Sequence, residues 1–390
     1  MTRVLLMTQE IHPIPPVKGA AVEYWIYAVS KRLENYQPFI VSPPHPFRPD
    51  WEREGDVQFQ RIGIGRLYTR LFRKLTRLDP YGYVDRVAHY ARREKIGLIH
   101  IQNAPKLVAP LRAKVPGAKI ILHMQNDMDV SGLPELDGLA GCSEYILDRC
   151  REQGVKARVI QSLPNGVDPA LFVPWWQKPE EKERLRATFK MDGKKVILYV
   201  GRISQEKGVD LLVEAFRHLD RERYVLALLG EWPQGDPATS QRVAFAQEVE
   251  RRLEGLPVIR LGTVEPEEVP RFHPLADLLV VPSRFEEPFS MAAIEAMASG
   301  IPVLALKRGG MVEYMEDGRN AFLLDPSTTD GPALADAIER VLGDQETLRR
   351  VTHNARRLVE HRFSWKEVAA ATEAYYDAVM GWEGEQPSVS

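Results

Sequence analysis

Short runs of Val, Ile and Leu alternate with helical patterns through most of the chain. The first series contains "RVLLMT", "FIVS", "LIHIQ" and "KIILHM", and the second contains "KVILYVG", "YVLALLG", "VIRLG", "DLLVVPS" and "PVLAL". Uninterrupted apolar runs of this length are typical of strands covered on both faces, and the helices between them imply right-handed crossovers. The pattern therefore predicts an α/β fold with two parallel sheets.

The alternation pauses once, in "NGVDPALFVPWWQKPEEKERLRATFKMDGKK", which is rich in proline, charge and turn formers. This pause predicts a Rossmann-like domain over 1–170, a linker over 171–194 and a second Rossmann-like domain over 195–368. Residues 369–390 are expected to form a helix that crosses back to the first domain, followed by a frayed tail. Parallel-sheet domains bind ligands at the carboxyl ends of their strands, so we expect a cleft there.

Composition narrows the class of protein. The 390 residues are 44% hydrophobic and 27% charged, with a net charge of -2, which suits two ordinary domains and predicts no nucleic-acid partner. Cys142 and Cys150 form neither a disulfide framework nor a metal cluster, so we expect both to be reduced. No run reaches the roughly 18 apolar residues of a membrane span, and the N-terminal run resembles a strand more than a signal peptide. We therefore expect a cytoplasmic protein.

The loop after "KVILYV" carries the first candidate chemistry. In "GRISQEKGVDLLVEAF", Gly201 ends the strand, the loop presents Arg202 and Lys207, and Gly208 leads into an amphipathic helix. Two cations and helix-terminal amides at one strand end suit a diphosphate, because charge-assisted hydrogen bonds and helix N-termini both favour anions. A solvated surface loop is the alternative interpretation.

A second loop, in "VVPSRFEEPFSMAAIEAMASG", supplies a matching half. A helix is predicted to start at about Ser290, so that Ser290 and Met291 offer free amides, and Glu295 lies about 1.5 turns further along. A carboxylate in this apolar helix is accounted for if the two hydroxyls of a ribose bind it. The alternative is that Glu295 faces solvent.

Glu287 and Glu295 together form the E-x7-E motif of retaining GT-B glycosyltransferases, and the chain resembles family 4 of that group over nearly its whole length. The matching segments, in order, are "PPVKGAAVE", "ILHMQND", "LPNGVD", "GRISQEKG", "VIRLGTV", "ADLLVVPSRFEEPFSMAAIEAMASGIPVLA", "GGMVEYMEDGRNAFLL" and "FSW". E-x7-E alone is a weak pattern, whereas the ordered set is specific. The run "PPVKGAAVEYWIYAVSKRL" is also similar to spore-coat-associated members.

The resemblance implies two Rossmann-like domains that face each other across a cleft. It implies transfer of a hexose-type sugar from a nucleoside diphosphate donor, with UDP favoured, to an acceptor hydroxyl with retention. The acceptor class stays open between a glycan, a lipid and a small molecule. The resemblance implies no metal or other cofactor, and a location in the cytoplasm, at the inner membrane face or with the spore coat.

Site roles follow from the same resemblance. Arg202 and Lys207 would neutralise the departing diphosphate, and Glu287 would hold hydroxyls of the donor sugar. The amides of Phe289 and Ser290 would assist Glu287, Glu295 would bind the ribose, and the backbone of Val264 would contact the base. His123 would bond a hydroxyl of the donor sugar or help to hold the reacting geometry. For His123, a core histidine bonded to backbone is the alternative.

The first loop departs from the family pattern. Gly19 and Ala20 stand where two consecutive glycines are common and where the backbone approaches the donor phosphate. Alanine adopts a positive φ only at a cost, so Ala20 leaves open a catalytically silent protein that binds sugar nucleotides or glycans. Ser290 also replaces a frequent glycine, but it retains an amide and starts helices well.

Two further motifs favour other enzyme classes only weakly. Asp127 and Asp129 have the D-x-D spacing of metal-dependent GT-A glycosyltransferases, but a GT-A chain would have one sheet series. Asn126 and Asp127 are therefore interpreted as acceptor-side residues, and no metal is predicted. "GIGRLY" lacks the third glycine of a dinucleotide fingerprint, which disfavours a nicotinamide-dependent oxidoreductase.

Residues 66–78, "RLYTRLFRKLTRL", form a basic amphipathic pattern with both sets of residues spaced three or four apart. Three interpretations stay open. The segment is a helix packed on the first domain with a solvated basic face, a surface for anionic lipid, or a site for a polyanionic acceptor.

Overall fold

The computed structural model describes residues 1–17, 21–63, 66–77, 82–191, 193–236 and 238–381. The chain divides into two compact units. The first comprises Met1–Asn165 and Trp365–Ser390, and the second comprises Gly166–Ser364.

The first unit is built on an eight-stranded sheet in the order β3-β4-β2-β1-β5-β6-β7-β8. Its strands are β1 (Thr2–Met7), β2 (Tyr36–Ser42), β3 (Trp51–Glu54), β4 (Val57–Arg61), β5 (Leu98–Gln102), β6 (Lys119–Met124), β7 (Leu136–Gly141) and β8 (Ala157–Ser162). All pairs are parallel except β3 with β4, which form an antiparallel hairpin at the edge.

Five helices of the first unit lie between these strands: α1 (Ala21–Ser30), α2 (Arg66–Thr76), α3 (Tyr83–Arg93), α4 (Val108–Lys114) and α5 (Glu144–Glu152). Trp25, Ile40 and Phe59 are fully buried in its hydrophobic core. By contrast, α2 exposes 56% of Tyr68, 48% of Leu71 and 81% of Leu75.

The second unit has a fully parallel six-stranded sheet in the order β11-β10-β9-β12-β13-β14. Its strands are β9 (Lys195–Val200), β10 (Tyr224–Leu229), β11 (Val258–Gly262), β12 (Leu278–Val281), β13 (Val303–Leu306) and β14 (Phe322–Leu324). Its helices are α6 (Pro179–Thr188), α7 (Val209–His218), α8 (Gln241–Arg252), α9 (Met291–Ala298), α10 (Gly331–Gly343) and α11 (Gln345–Leu358). Leu212, Phe216 and Ile338 are buried between these helices and the sheet.

The last helix, α12 (Trp365–Gly381), belongs to the first unit. Tyr375 and Tyr376 on this helix are fully buried in the first core. The hydroxyl of Tyr36 donates to Asp377 at 2.7 Å, and Glu373 accepts from the backbone amides at positions 34 and 35 at 2.6 Å. Buried tyrosines and charged-group hydrogen bonds thus hold α12 on the first unit.

The unit boundaries differ from the predicted ones. They fall after Asn165 and Ser364, and the segment predicted as a linker lies within the second unit. The reason is visible in α6, where Lys182 and Arg186 reach Asp277 at 3.4 and 2.6 Å. These ion pairs join residues about ninety positions apart, so local composition does not reveal them.

Cys142 and Cys150 are buried free thiols. Within the described ranges, no helix combines the length and apolar character that crossing a bilayer requires.

Candidate active site

The candidate site of the second unit lies where β9 and β12 end side by side. The two strands are parallel neighbours at the centre of the sheet, so the loops that follow them meet at its carboxyl edge. Gly208 has a φ of +68°, and a Cβ there would lie 1.8 Å from the carbonyl oxygen of Pro282. Only glycine permits this close approach of the two loops.

Lys207 and Glu287 are in direct contact across these loops. Nζ of Lys207 lies 2.7 Å from Oε1 of Glu287, and the hydroxyl of Ser283 donates to the same oxygen at 2.6 Å. Glu287 is 3% exposed, and the ammonium also lies 4.8 Å from the ring centroid of Phe285. A buried carboxylate is therefore matched by one cation and one hydroxyl, which makes the pair a fixed feature of the site.

Arg202 is held more loosely. Its side chain is 50% exposed, and Nη2 lies 3.0 Å from Oε1 of Glu206 one turn along the loop. The hydroxyl of the buried Tyr199 donates to the Arg202 carbonyl at 2.7 Å and so fixes the backbone. Because an exposed pair of this kind contributes about 0–1 kcal/mol, an anionic ligand can replace Glu206 as the partner at little cost.

Ser290 precedes α9 as its cap, with Oγ accepting from the Ala293 amide at 3.4 Å. The helix then begins at Met291, so its first amides are not used within the helix. The ring of Phe289 packs at 5.1 Å from Tyr314 and 5.5 Å from Phe363, between centroids. This aromatic cluster anchors the start of the helix.

Glu295 lies within α9 and is only partly exposed. Its carboxylate accepts no hydrogen bond from any residue in the described part of the chain, and burial raises its pKa to about 8. The carboxyl group is therefore mostly protonated at pH 7. A ligand that donates hydrogen bonds to it would lower its pKa and favour the charged form.

The loop that carries Glu286 and Glu287 is fixed by hydrogen bonds that the sequence analysis did not predict. The carboxylate of Glu286 accepts from Arg308 at 2.8 Å and from the Gly309 amide at 2.6 Å, while the Gly310 amide donates to the Glu287 carbonyl at 2.8 Å. Gly309 has a φ of +50°, and a Cβ there would lie 2.3 Å from that carbonyl oxygen. The consecutive glycines in "KRGGMVE" could have indicated this contact, because glycine allows one stretch of backbone to pack closely on another.

Gly201 and Val264 lie at the ends of β9 and β11. Gly201 has a φ of +153°. A Cβ added to Gly230 would lie 1.9 Å from the carbonyl oxygen of Gly201, so the two loops are in close backbone contact. Val264 is half-buried two residues beyond β11. Its predicted contact with a base stays a prediction.

His123 lies in the first unit, in β6. It is fully buried, and its Nε2 lies 3.1 Å from the carbonyl oxygen of Leu163. Its ring packs 4.9 Å from Trp25 and 5.4 Å from His100, between centroids. Burial lowers its pKa to about 3, so the ring is neutral, with Nε2 donating to the carbonyl. The backbone contact expected of a core histidine is present, while Nδ1 has no partner among the described residues.

Asn126 and Asp127 follow β6 and are exposed. Asp127 accepts from Arg149 at 2.9 Å, and Asp129 accepts from the hydroxyl of Ser131 at 2.6 Å, so the two carboxylates have separate partners. No cluster of three or more potential ligands from His, Cys, Asp and Glu occurs within the ranges that the structure describes.

A buried amide pair beside these residues also escaped sequence reasoning. Nε2 of Gln125 donates to Oε1 of Gln102 at 2.7 Å, and the Gln125 amide donates to Oδ1 of Asn103 at 2.7 Å. Asn103 has a φ of +48°, which is uncommon for a residue other than glycine. Gly19 and Ala20, the predicted phosphate loop, lie outside the described residues.

Comparison with known proteins gives consistent matches. The sequence model described as "Glycosyl transferases group 1" matches residues 180–358. The lipopolysaccharide 1,2-N-acetylglucosaminetransferase of Salmonella typhimurium is 33% identical over 383 residues, covering 95% of this chain and 97% of that protein. Spore coat protein SA of Bacillus subtilis is 25% identical over 391 residues, covering 96% and 99%.

Solved structures match the fold along nearly the whole chain. Sucrose-phosphate synthase from Thermosynechococcus elongatus has a TM-score of 0.77 at 22% identity, covering 98% of this chain and 100% of that one. HepE from Anabaena, determined in complex with UDP, has a TM-score of 0.74 at 18% identity, covering 97% and 100%.

Proposed function

Because this chain belongs to the glycosyl transferases group 1 family and is a glycosyltransferase with the GT-B fold, we propose that it transfers a hexose-type sugar from a nucleoside diphosphate sugar with retention. The observation that carries the proposal is the contact between Lys207 and Glu287 at 2.7 Å, beside the start of α9. Lys207 would bind the phosphates of the donor, and Glu287, in contact with it, would bind the hydroxyls of the donor sugar.

The chemistry requires stabilisation of a leaving anion. The bond from the anomeric carbon to the phosphate oxygen breaks, the acceptor oxygen bonds to the same carbon from the same face, and the acceptor proton passes to the departing phosphate oxygen. Arg202, Lys207 and the first amides of α9 would stabilise the diphosphate as its charge grows. Glu287 would hold the sugar and balance the positive charge that develops on its ring.

We propose that the reaction needs no metal ion. The two side-chain cations and the helix N-terminus would supply the positive charge that a divalent ion provides in other transferases. The ribose would bind Glu295, whose carboxyl group accepts no hydrogen bond within the described part of the chain, and the ribose hydroxyls would favour its charged form. The roles of His123 and Val264 stay predictions.

The names of relatives guide the choice of substrates. The Salmonella relative is named as an N-acetylglucosaminetransferase that acts on lipopolysaccharide, and HepE was determined with UDP. UDP-N-acetylglucosamine and UDP-glucose are therefore the first donors to test, with a sugar hydroxyl of an envelope glycan as the acceptor. Spore coat protein SA makes a spore-coat glycan the second choice of acceptor.

We also propose that α2 contacts the anionic inner face of a membrane. Tyr68, Leu71 and Leu75 are largely exposed on a helix that carries Arg70, Arg73 and Lys74. Exposed apolar side chains next to basic ones suit an interface of lipid headgroups and acyl chains. A lipid-linked glycan would be reached from that position.

The test is release of nucleoside diphosphate from a panel of nucleotide sugars in the presence of oligosaccharide acceptors. Arg202→Ala should lower turnover by about 10²-fold or more, because one donor to the leaving group is lost. Arg340→Ala, an exposed arginine on α10, is the matched control and should keep full turnover. Measurable nucleotide binding with no product from any donor would instead support a catalytically silent binding protein.

A further inference from the structure

A cavity lies in the second unit, at the opposite edge of the sheet from the candidate site. It has a volume of about 240 Å³ and is bordered by residues at the amino ends of three strands: Lys195, the first residue of β9, Asp277 before β12 and Pro302 before β13. In a parallel sheet these amino ends share one edge. The carboxyl ends that carry Lys207 and Glu287 lie about 20 Å away, the length of a six-residue strand.

Two tryptophans form one wall of this cavity. The indoles of Trp175 and Trp176 lie 6.0 Å apart, and Trp176 packs at 4.5 Å from the ring of His353, between centroids. The backbone of Gly300 supports Trp176 closely, since a Cβ there would lie 2.3 Å from the indole, and its φ is +70°. The aromatic wall is thus held in place by backbone that only glycine allows.

The remaining walls offer little to sugar hydroxyls. Ala276, Leu342 and Leu348 are apolar and buried. Of the polar side chains, Thr352 and Gln345 already donate to backbone carbonyls at 2.6 and 2.8 Å, and the ring of His353 packs on Trp176. An apolar body therefore fits these walls better than a free sugar does.

The charge at the cavity is positive. Its carboxylate, Asp277, is already bound by Lys182, by Arg186 at 2.6 Å and by the Val196 amide at 2.8 Å. Lys195 and Arg349 also border the cavity with exposed side chains and form no salt bridge within the described part of the chain, although the charge of Lys195 helps to lower the pKa of Asp277. An anionic group is the complement of these two cations.

We propose that this cavity is a second ligand site, separate from the sugar-transfer site, for a small amphipathic anion: an aromatic or branched apolar body that carries a phosphate or carboxylate. The body packs on Trp175 and Trp176, and the anionic group lies between Lys195 and Arg349. The inference goes beyond the proposed transfer reaction and does not depend on it, because binding can be measured without turnover.

The probe is phenylphosphonate, added to protein labelled with 5-fluorotryptophan and followed by fluorine NMR. The resonances of Trp175 and Trp176, assigned from the Trp175→Phe and Trp176→Phe variants, should shift in a saturable way. Benzyl alcohol, which lacks the charge, and inorganic phosphate, which lacks the body, should each bind at least about tenfold more weakly. Benzoate, compared with phenylphosphonate, distinguishes carboxylate from phosphate as the anionic group.

The double variant Lys195→Ala with Arg349→Ala removes the two cations that would hold the anionic group and should weaken phenylphosphonate binding about tenfold or more. Lys194→Ala with Arg350→Ala makes the same change of charge at adjacent residues that do not border the cavity, and serves as the matched control. Equal weakening by both pairs, shifts confined to other tryptophans, or equal affinity for benzyl alcohol would each overturn the proposal.

Discussion

Replacing Glu295 by glutamine should make the folded protein more stable at pH 8 but not at pH 5. Burial raises the pKa of this carboxyl from the ordinary value of 4.5 to about 8. Between these values the unfolded chain has lost the proton and the folded chain keeps it, so stability falls as the pH rises through this window. A glutamine does not titrate, so the variant escapes this loss.

The size of the effect follows from the two pKa values. The difference between about 8 and 4.5, at about 1.36 kcal/mol per pH unit, corresponds to a ceiling of about 5 kcal/mol. Glu295 is partly exposed, and screening by solvent lowers the expected gain at pH 8 to about 2 kcal/mol. Urea unfolding at both pH values measures it, with Glu254→Gln, an exposed glutamate outside the site, as the control.

Nucleotide binding supplies a second readout of the same residue. Ribose hydroxyls that donate to Glu295 favour its charged form, so UDP binding at pH 7 should release up to one proton. Calorimetry in buffers of different ionisation enthalpy counts that proton, and the count should be smaller by nearly one in Glu295→Gln, which should also bind UDP about tenfold more weakly. Equal proton release in both proteins, together with equal stability at pH 8, would refute the reasoning.

Three further outcomes are expected. Lys207→Ala should lower the free energy of unfolding by about 3 kcal/mol, because Glu287 is left buried without its cation, and adding Glu287→Gln should restore more than half of that loss in urea unfolding. Chelation with EDTA should leave the rate of transfer within about twofold of its original value, and a larger loss that Mg²⁺ restores would contradict the charge assignment. Reversing the charges of Arg73 and Lys74 should weaken sedimentation with anionic vesicles at least about tenfold, with zwitterionic vesicles as the baseline; unchanged sedimentation would exclude α2 as the contact.

The strands β1, β2, β5 and β6 of the first sheet and β9 to β13 of the second could be predicted because their signal is local. A buried strand such as Lys195–Val200 is a run of apolar residues that can be recognised without any knowledge of its neighbours. The start of α9 was predicted for the same reason, since Ser290 is a helix-capping residue directly before an Ala-rich run. β7, β8 and β14 were not predicted, because β7 ("LDGLAG") and β8 ("ARVIQS") are interrupted by polar residues or glycine and β14 has only three residues. The β3–β4 hairpin was missed, although Gly55, with a φ of +62°, marks its turn in an alternating polar pattern.

The contacts within the candidate site could not be predicted because they join distant parts of the chain. Lys207 and Glu287 are 80 residues apart, and His123 reaches a carbonyl 40 residues away. The sequence analysis predicted that Lys207 and Glu287 bind the same donor, but it did not predict their contact with each other. Because the pair is buried, Lys207→Ala should lower stability as well as turnover.

The most direct test of the central claim is a crystal structure of this protein with UDP bound. The account predicts the pyrophosphate against Arg202, Lys207 and the first amides of α9, with the ribose hydroxyls on Glu295. A nucleotide bound elsewhere, with these three side chains free of contact to it, would contradict the account.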